Sequence, residues 1–442
     1  MRFLSLKRFL NHSLLLAAVT LGGPHLYGQS WKIESVYALP DMPLSSFLKS
    51  TLGLDVEDHN IKLGGIGSDL WHSQEDGPGV YWTVTDRGPN GQIRVNGVNR
   101  RTFPIPAFTP FILKVRTAQG RIDVLEAIPI TGLGPALGGV SGISNTSRDE
   151  KPFDCAAQTE LDFNPHGLDT EGLVRTLDGT FWLVDEYSPS IIKVDRTGRV
   201  SKRFVPVNLS PPTLTAGYPT IEVLPQILGK RKANRGFEGV ALTPNQKTIY
   251  AVVQSPLSNP NKTVGDASRN TRIIGFDVET EMVVSEYLYR FQPVTEFGDS
   301  NPAEMKVSGL AMLDPHTMLV LERTDKVAKI YRVDLKKATN LLGTIWDDAS
   351  TTPSLEALDE AGLAQNGIRE LPKTLVLEMD SAKGFPEKIE GLAVLDGQTL
   401  AIANDNDFGV GTFLINENEC TLVDSRIKSS IVVLRLENPI RQ

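Results

Sequence analysis

The sequence has little of several residues on which common site types depend. It contains two cysteines and six histidines in 442 residues. It has no Cys-x-x-Cys pair, no His-Glu-x-x-His helix motif, no Gly-x-Ser-x-Gly elbow and no Walker loop. These absences argue against a zinc protease, a serine hydrolase of the elbow type, a nucleotide-hydrolysing Walker protein and a dithiol redox enzyme.

Basic residues are also scarce. The chain carries 45 Lys and Arg against 53 Asp and Glu, a net charge of -8. Without Arg2, Lys7 and Arg8, which precede the first acid, 42 bases remain against the same 53 acids. The densest basic group spans residues 230–235, and we interpret it as a solvated loop. A nucleic-acid binder needs a basic face, so we predict no nucleic-acid partner.

Long apolar runs are missing beyond the N-terminus. There, three basic residues precede the apolar run from Leu14 to Leu21, and Gly22, Gly23 and Pro24 end it. This order is typical of a secretory signal peptide, and the run is too short to cross a bilayer. We predict a signal peptide at residues 1–28, no transmembrane segment in the mature chain, and export to the periplasm or the extracellular medium. An uncleaved N-terminal anchor is the alternative.

Export bears on the two cysteines. An oxidising compartment would permit a disulfide between Cys155 and Cys420. The sequence leaves two unpaired thiols equally open.

One short motif recurs along the chain, in which an acid or Ser is followed by Gly and apolar residues. Its copies are Gly65–Leu70, which is the weakest, Asp169–Leu173, Gly236–Ala241, Lys306–Ala311 and Lys388–Ala393. A β-rich run that ends in polar residues follows each copy: Tyr81–Asp86, Phe181–Glu186, Thr248–Gln254, Met318–Arg323 and Leu400–Asp405. Repeated units of about four strands are typical of propeller blades.

We therefore predict an all-β fold, a single β-propeller over residues 31–437. Five blades are visible in the repeats, and a sixth is possible within 131–168. The strand Trp31–Leu39 has no partner in its own unit, so we expect it to pair with Ile431–Leu436 and close the ring, which would remove exposed strand edges. The apolar spacing over about 354–371 predicts a helical insertion. A pair of β-sandwiches is the alternative fold.

Stacked blades would gather equivalent residues around one channel. The motif should bring together Asp69, Glu171, Glu238, Ser308 and Glu390. Near the channel mouth we expect Asp86, Arg87, Asp185, Glu186, Gln254, Glu322, Arg323, Asn404, Asp405 and Asp407. Crowded carboxylates repel one another unless a cation or protons neutralise them, and oxygen ligands suit Ca²⁺ or Mg²⁺. Alternatively, the Glu-Gly pair is a structural signature that only joins neighbouring blades.

Roles follow from residue type and position. We predict Glu171, Glu238, Glu390, Asp86 and Arg87 as catalytic, Arg323, Asp185 and Glu186 as substrate-binding, and Glu171, Glu390, Asn404 and Asp405 as ligands of a Ca²⁺ ion. An Arg side chain can grip a phosphate group with two hydrogen bonds. His166 is interpreted as a loop histidine without a role in the site.

Several of these motifs together resemble the phytase-like (esterase-like activity of phytase) domain family. They are Thr85–Asn90, Asp169–Gly172, Phe181–Glu186, Gly236–Gly239 and Ile389–Ala393, and the resemblance covers about residues 60–436. It implies an exported protein whose recurrent acids carry a phosphoesterase-type activity. The copy with Ser308 departs from the Glu-Gly pattern, which weakens the idea of five equivalent ligands.

The expected function is therefore an exported phosphoesterase-like hydrolase with a carboxylate-lined, metal-binding channel and a small phosphorylated substrate. Two alternatives stay open. One is a non-catalytic propeller that binds a ligand or partner, and the other is a Ca²⁺-dependent lactonase or carboxylesterase.

Overall fold

The computed structural model describes residues 29–132, 140–145, 150–209, 218–416 and 419–440. The predicted signal peptide, residues 1–28, lies outside these ranges. Most regular structure within them is β-strand, which confirms the all-β prediction. Numbered in chain order, the described strands are β1 (Trp31–Ala38), β2 (Val80–Val84), β3 (Gly91–Val95), β4 (Val98–Thr102), β5 (Phe111–Ala118), β6 (Arg121–Pro129), β7 (Pro152–Phe153), β8 (Thr170–Arg175), β9 (Phe181–Asp185), β10 (Ser190–Val194), β11 (Val200–Pro206), β12 (Thr220–Leu224), β13 (Phe237–Leu242), β14 (Thr248–Val253), β15 (Asn270–Asp277), β16 (Met282–Arg290), β17 (Lys306–Met312), β18 (Thr317–Arg323), β19 (Val327–Asp334), β20 (Lys373–Asp380), β21 (Ile389–Val394), β22 (Thr399–Asn404), β23 (Val410–Asn416), β24 (Glu419–Asp424) and β25 (Ser430–Leu436).

Short helices occur in the connections. The described α-helices are α1 (Leu44–Leu52), α2 (Lys262–Ala267) and α3 (Glu360–Gln365). Residues 354–371, where we predicted a helical insertion, contain a 3-10 turn at Leu355–Ala357 and then α3. The apolar residues of this segment pack with Leu288, Leu341 and Trp346 in a small core of their own. No helix in the described part of the chain is long and apolar enough to cross a membrane.

The strands form sheets that follow one another along the chain. The orders are β12-β11-β10-β9-β8, β13-β14-β15-β16 and β17-β18-β19-β20. Two further groups, β2-β5-β6 and β21-β22-β25-β1, join into one seven-stranded sheet through a parallel contact between Ala38 and Arg121. Within the described part of residues 131–168, where a sixth blade was possible, β7 is the only strand.

Hydrophobic clusters lie between successive sheets. Trp182 of β9, for example, packs 5.9 Å from Phe276 of β15, ring centre to ring centre. Five such clusters each join two neighbouring groups of strands. The first lies between β2-β5-β6 and the sheet β8–β12, the second between that sheet and β13–β16, and the third between β13–β16 and β17–β20. The fourth lies between β17–β20 and the strands β21-β22-β25-β1, and the fifth lies between those strands and β2-β5-β6. Since both faces of a sheet are covered, strands such as β9 and β13 are buried at every residue.

The N-terminal strand completes the last group. β1 pairs antiparallel with β25, from Trp31 opposite Leu436 to Ala38 opposite Ser430. The pairing that we predicted for Trp31–Leu39 is confirmed, with the strand ending at Ala38. The first and the last strands of the described chain therefore hydrogen-bond to each other.

The glycines of the repeated motif explain how closely the sheets meet. A Cβ atom on Gly172 would lie 2.9 Å from the carbonyl oxygen of Glu238, and one on Gly309 would lie 2.7 Å from that of Glu390. The edge strands β8, β13, β17 and β21 contact one another in this order. Asp69 extends the series, because its carboxylate accepts a hydrogen bond from Leu173 N–H at 2.9 Å.

Three small elements outside these sheets form what we call the cap. They are the hairpin β3–β4, the strand β7 that pairs with β4, and the hairpin β23–β24. Phe413 of β23 lies directly over Gly91 of β3, where a Cβ would be 2.5 Å from its ring. A disulfide between Cys155 and Cys420, with the Cα atoms 5.8 Å apart, joins the loop after β7 to β24. The alternative left open by the sequence is thus decided in favour of the disulfide.

Candidate functional site

A pocket of about 200 Å³ lies where the edge strands begin. Among the residues that the structure describes, those that line the pocket have charged or amide side chains. The carboxylates are Asp86, Glu171, Glu186, Glu238, Glu390, Asp405 and Asp407; the bases are Arg87, Arg101, Arg235, Lys306, Arg323 and Lys388; the amides are Asn90, Asn234 and Gln254. The predicted acids are therefore interleaved with nearly as many bases, and repulsion among them is partly relieved by the protein itself.

The glutamates of the motif converge in this pocket. Glu171, Glu238 and Glu390 are each the second residue of a strand, β8, β13 and β21. One carboxylate oxygen of each lies within 4.8 Å of those of the other two. In all three strands the pairing register shifts across the glutamate. Such a β-bulge turns a side chain out of the regular alternation and is frequent next to active sites.

Glu171 differs from the other two glutamates in having no partner. It is 8% exposed, and within the described residues its carboxylate forms no hydrogen bond and no ion pair. Burial, followed by the negative charges of Glu238 and Asp169, raises the pKa of Glu171 well above its ordinary value. A second group of carboxylate oxygens, from Asp86, Asp169 and Glu171, also lies within 4.8 Å. Glu171 therefore stands where the two groups of acids meet.

The other two glutamates are held by neighbours. Glu238 accepts hydrogen bonds from Gln254 Nε2 and from Ser308 Oγ at 3.1 Å. Glu390 pairs with Nη2 of Arg323. Burial raises the pKa of both carboxyls, to about 7 for Glu390, although the charge of Arg323 opposes the rise.

Arg323 explains why one copy of the motif carries Ser. Its Nε donates to Ser308 Oγ at 2.8 Å, and its Nη1 donates to Asp325 at 3.1 Å. Asp325 also pairs with Lys306 at 2.9 Å. Ser308 thus stands where three other copies of the motif carry glutamate, and it connects the guanidinium of Arg323 with Glu238.

On the opposite side of the pocket, Arg87 lies among acids. Its Nε is 3.2 Å from Asp169, and its Nη2 is 3.9 Å from Glu186. Glu150 connects it to the cap: Nη1 of Arg87 is 3.7 Å from Glu150, which pairs with Nε of Arg101 in β4 at 2.7 Å. The cap therefore contributes a side chain to the pocket wall.

Asp86 and Glu186 lie on the same side. Asp86 accepts a hydrogen bond from Gly88 N–H at 2.9 Å. Burial raises the pKa of both carboxyls well above their ordinary values, with further contributions from Asp405 for Asp86 and from Glu238 for Glu186.

Besides Glu322, which pairs with Lys373 at 2.7 Å, two of the residues predicted near the channel mouth lie outside the pocket lining. The carboxylate of Asp185 is fully buried and bonds to Asp169 N–H at 2.9 Å, Ser190 Oγ at 3.1 Å and the guanidinium of Arg203. It does not line the pocket, and its contacts in the described chain are with internal partners.

Asn404 is the second of them. Its amide oxygen accepts from Ser430 N–H at 2.8 Å and Oγ at 2.6 Å, and its Nδ2 donates to Lys428 O at 3.2 Å. All these partners lie on the segment leading into β25, so the described contacts of Asn404 are internal to the protein. Asp405 does line the pocket, but its carboxylate lies 3.3 Å from Lys388 Nζ.

Several pocket residues were missed. Lys306 and Lys388 stand two positions before the Ser or Glu of the motif. This constant offset from the motif could have identified them. Arg235 belongs to the basic group that we interpreted as a solvated loop, and it lines the pocket instead. Arg101 of the cap carried no sequence signal.

Some carboxylate oxygens of the pocket lie close enough together to share one cation. Ca²⁺ binds oxygen ligands at about 2.3–2.6 Å, so two ligands on opposite sides of one ion lie about 5 Å apart. The carboxylate oxygens of Glu171, Glu238 and Glu390 lie within 4.8 Å of one another. The donor set is of the hard oxygen type that such cations prefer.

Comparison with known proteins places the chain among relatives. An "Uncharacterized secreted protein" of Arthroderma benhamiae is 24% identical over 324 residues, which cover 62% of this chain and 62% of that protein, so the match spans less than two thirds of this relative. Similar solved structures include a luciferin-regenerating enzyme (8% identity, TM-score 0.35, 85% of this chain and 94% of that one) and the Cps50 (Swd1) β-propeller domain of Myceliophteria thermophila (11%, TM-score 0.32, 85% and 98%). The family described as Phytase-like, "Esterase-like activity of phytase", matches residues 61–408. The chain therefore belongs to the phytase-like family, as its motifs predicted.

Proposed function

We propose that this chain is an exported hydrolase of phosphate esters and that the charged pocket is its active site. One observation carries the proposal. Glu171 is nine-tenths buried, lines the pocket and has no hydrogen-bond or ion-pair partner in the described chain. Burying a carboxylate without a partner is costly, and strongly perturbed acids cluster at functional sites. A ligand that binds Glu171 would offset that cost.

The proposal includes the architecture that forms the pocket. Five hydrophobic clusters join the sheets in a cycle, and β1 pairs with β25. We infer a ring of five blades around the pocket, closed by the N-terminal strand. Rotation about one axis would then relate Glu171, Glu238 and Glu390, which accounts for their convergence.

Each residue has a proposed role. Glu171, Glu238 and Glu390 would hold a Ca²⁺ ion, and Asp405 lies beside them. When bound, the ion would neutralise the acids and polarise a phosphoryl oxygen. Asp86, with its raised pKa, would transfer a proton. Arg87 and Arg323 would stabilise the negative charge of the phosphoryl group, and Glu186 orients Arg87.

Export rests on three features. The N-terminus has the pattern of a signal peptide, Cys155 and Cys420 form a disulfide, and a relative carries the description secreted. Disulfides persist in oxidising compartments. We propose that the mature chain works in the periplasm or the extracellular medium.

A hydrolysis screen tests the function. The mature chain, produced without residues 1–28, is assayed on phosphomonoesters, phosphodiesters, phytate and lactones, with Ca²⁺ or with a chelator. We expect turnover of a phosphate ester that is lost with chelator and in Glu171→Gln. Glu360→Gln, on the exposed first turn of α3, is the matched control and should keep full activity.

The outcomes separate the alternatives. Turnover of lactones alone would favour the hypothesis that the chain is a lactonase. Ligand binding without turnover of any ester would favour the non-catalytic propeller. Full phosphatase activity in Glu171→Gln would show that the pocket acid has no part in the chemistry.

A further inference from the structure

One wall of the pocket carries three polar atoms that nothing satisfies. They are Oδ1 of Asn234, Nη1 of Arg235 and Oε1 of Gln254, which are buried and have no hydrogen-bond partner among the described residues. All three side chains line the pocket. Buried polar groups in folded proteins are nearly always hydrogen-bonded, and a group left unpaired costs free energy. Their common position indicates a ligand rather than three separate defects.

Gln254 shows what kind of group faces this wall. The residue is 6% exposed and directly follows β14. Its N–H donates to Gly236 O at 2.8 Å, and its carbonyl accepts from Val307 N–H at 2.9 Å, so it is fixed between two edge strands. Its Nε2 donates to the carboxylate of Glu238. This bond sets the orientation of the amide and leaves Oε1 as an acceptor without a donor among the described residues.

Arg235 supplies the opposite requirement. The pocket bases Arg87, Arg101, Lys306, Arg323 and Lys388 each form an ion pair. Within the described residues Arg235 forms none, and its Nη1 has no acceptor. A guanidinium with free N–H groups suits a phosphate or carboxylate group. The guanidinium of Arg235 on this wall could therefore bind an anion.

The backbone holds the wall in place. Asn234 has a φ of 51°, in the left-handed region that Asn tolerates better than most residues. Gly236 lies so close to the neighbouring sheet that a Cβ would be 2.2 Å from the carbonyl oxygen of Glu186. The segment is thus pressed against the strand ends that form the pocket.

We propose that Asn234, Arg235 and Gln254 form a subsite for hydroxylated anions. Arg235 binds the oxyanion, and the amide oxygens of Asn234 and Gln254 accept hydrogen bonds from hydroxyl groups next to it. Polyol phosphates and polyhydroxy acids share this chemistry. The inference rests on the proposed function of the same pocket and deepens it, because it selects substrates by their hydroxyl groups.

The test compares anions that differ in hydroxyl groups. Binding of the mature chain is measured by calorimetry with glycerol 3-phosphate against ethyl phosphate, and with gluconate against hexanoate. We expect the hydroxylated member of at least one pair to bind about tenfold more tightly, the value of one or two hydrogen bonds. The first pair reports a polyol phosphate, and the second reports a sugar acid. Equal affinities within both pairs would overturn the proposal.

Two variants connect the preference to this wall. Arg235→Ala should weaken the hydroxylated anion and its partner alike, by about tenfold or more. Asn234→Gly suits the positive φ, so the backbone should be unaffected, and it should reduce only the preference for the hydroxylated anion. Arg369→Ala and Asn96→Gly are matched controls: Arg369 is exposed, and Asn96 is exposed with a φ of 49°. Unchanged binding in both variants would contradict the subsite.

Failure of the subsite proposal can be distinguished from failure of the proposed function. The same titrations are run on Glu171→Gln, which should not hydrolyse esters. If the mature chain hydrolyses no ester but prefers the hydroxylated anions, and Asn234→Gly lacks that preference, the subsite is supported and the proposed phosphoesterase activity is contradicted. If the mature chain hydrolyses phosphate esters but binds hydroxylated and plain anions equally, the proposed phosphoesterase activity is supported and the subsite is contradicted.

Discussion

Two regions of the molecule bury charge in opposite ways. Outside the pocket, Arg272 of β15 is fully buried, and its guanidinium pairs with Glu286 and with Glu356, at 3.0 Å for the latter. It also donates to Trp346 O at 3.1 Å. In the pocket, Glu171 has no such partner in the described chain. The carboxylates around Arg272 thus share a cation, whereas Glu171 pairs with none among the described residues.

The difference indicates what each region is for. A buried charge that the protein satisfies fixes neighbouring segments, as Arg272 fixes the insertion around Glu356 to the sheet. A buried carboxyl group without a cation lowers stability when it is ionised, and strongly perturbed acids cluster at functional sites. Partner geometry, and not burial or residue type, therefore distinguishes the acids around Arg272 from Glu171, for which we propose a function.

The largest effect should follow from breaking the satisfied network. Arg272→Met leaves Glu286 and Glu356 buried without a cation, and loss of one member of a buried ion pair typically costs about 3–5 kcal/mol. Denaturant unfolding should show a loss of this size. Arg116→Met, at an exposed position of β5, is the control and should stay within about 0.5 kcal/mol. A loss below about 1 kcal/mol in Arg272→Met would mean that the network does not hold the insertion.

A smaller loss of stability should follow from changing the glycine of the repeated motif, which allows neighbouring edge strands to pack closely. In Gly309→Ala the new methyl group would lie 2.7 Å from the carbonyl oxygen of Glu390 and 3.1 Å from Cβ of Leu392. Because backbone must move, we expect a loss of about 1–3 kcal/mol. Gly397→Ala, where nothing lies within 4 Å, is the control. Equal unfolding free energies for the two variants would show that the edge strands are not tightly packed.

Much of the fold could be predicted because its signals are local and repeated. The motif and the run after it located the first two strands of most units, and the orphan strand Trp31–Ala38 located its partner by elimination. The cap could not be predicted. Its hairpins break the repeat, and the pairing of Cys155 with Cys420 joins residues 265 apart in sequence, a contact that no local pattern encodes.

The site was predictable as far as the repeat carried it. Equivalent positions placed Glu171, Glu238 and Glu390 together. Asp185 and Asn404 end strands as the repeat predicted, but they turn toward internal partners and lie outside the pocket lining, a placement made by side-chain packing. The bulge at each glutamate and the free guanidinium of Arg235 depend on tertiary contacts, which the sequence does not display.

The pH dependence of stability probes another buried acid, Asp69. Burial raises the pKa of this carboxyl to about 8, although backbone N–H groups of Leu173 and Leu70 oppose the rise. The unfolded chain loses the proton near pH 4 and the folded chain near pH 8. The stability from this group is therefore present at low pH and is lost as the pH rises between these values, by at most about 1.4 kcal/mol per pH unit.

Asp69→Asn isolates that contribution. Asn does not titrate, so the variant should show a shallower fall in unfolding free energy between pH 5 and pH 8, measured with chelator present. Asp162→Asn, outside the pocket and the edge strands, should keep the slope of the wild type. Identical slopes in the Asp69 variant and the wild type would mean that Asp69 is already ionised at pH 5.

The smallest effect on stability should come from Glu171 itself, the residue with the largest expected effect on function. Glu171→Gln preserves shape and removes a carboxyl group whose ionisation burial, Glu238 and Asp169 disfavour, so the apo variant should unfold at the same temperature as the wild type or slightly above it. Ca²⁺ should stabilise the wild type by mass action and should have no such effect on the variant. A clear loss of stability in apo Glu171→Gln would show that this acid is structural after all, because an unsatisfied carboxylate has no partner in the protein to lose.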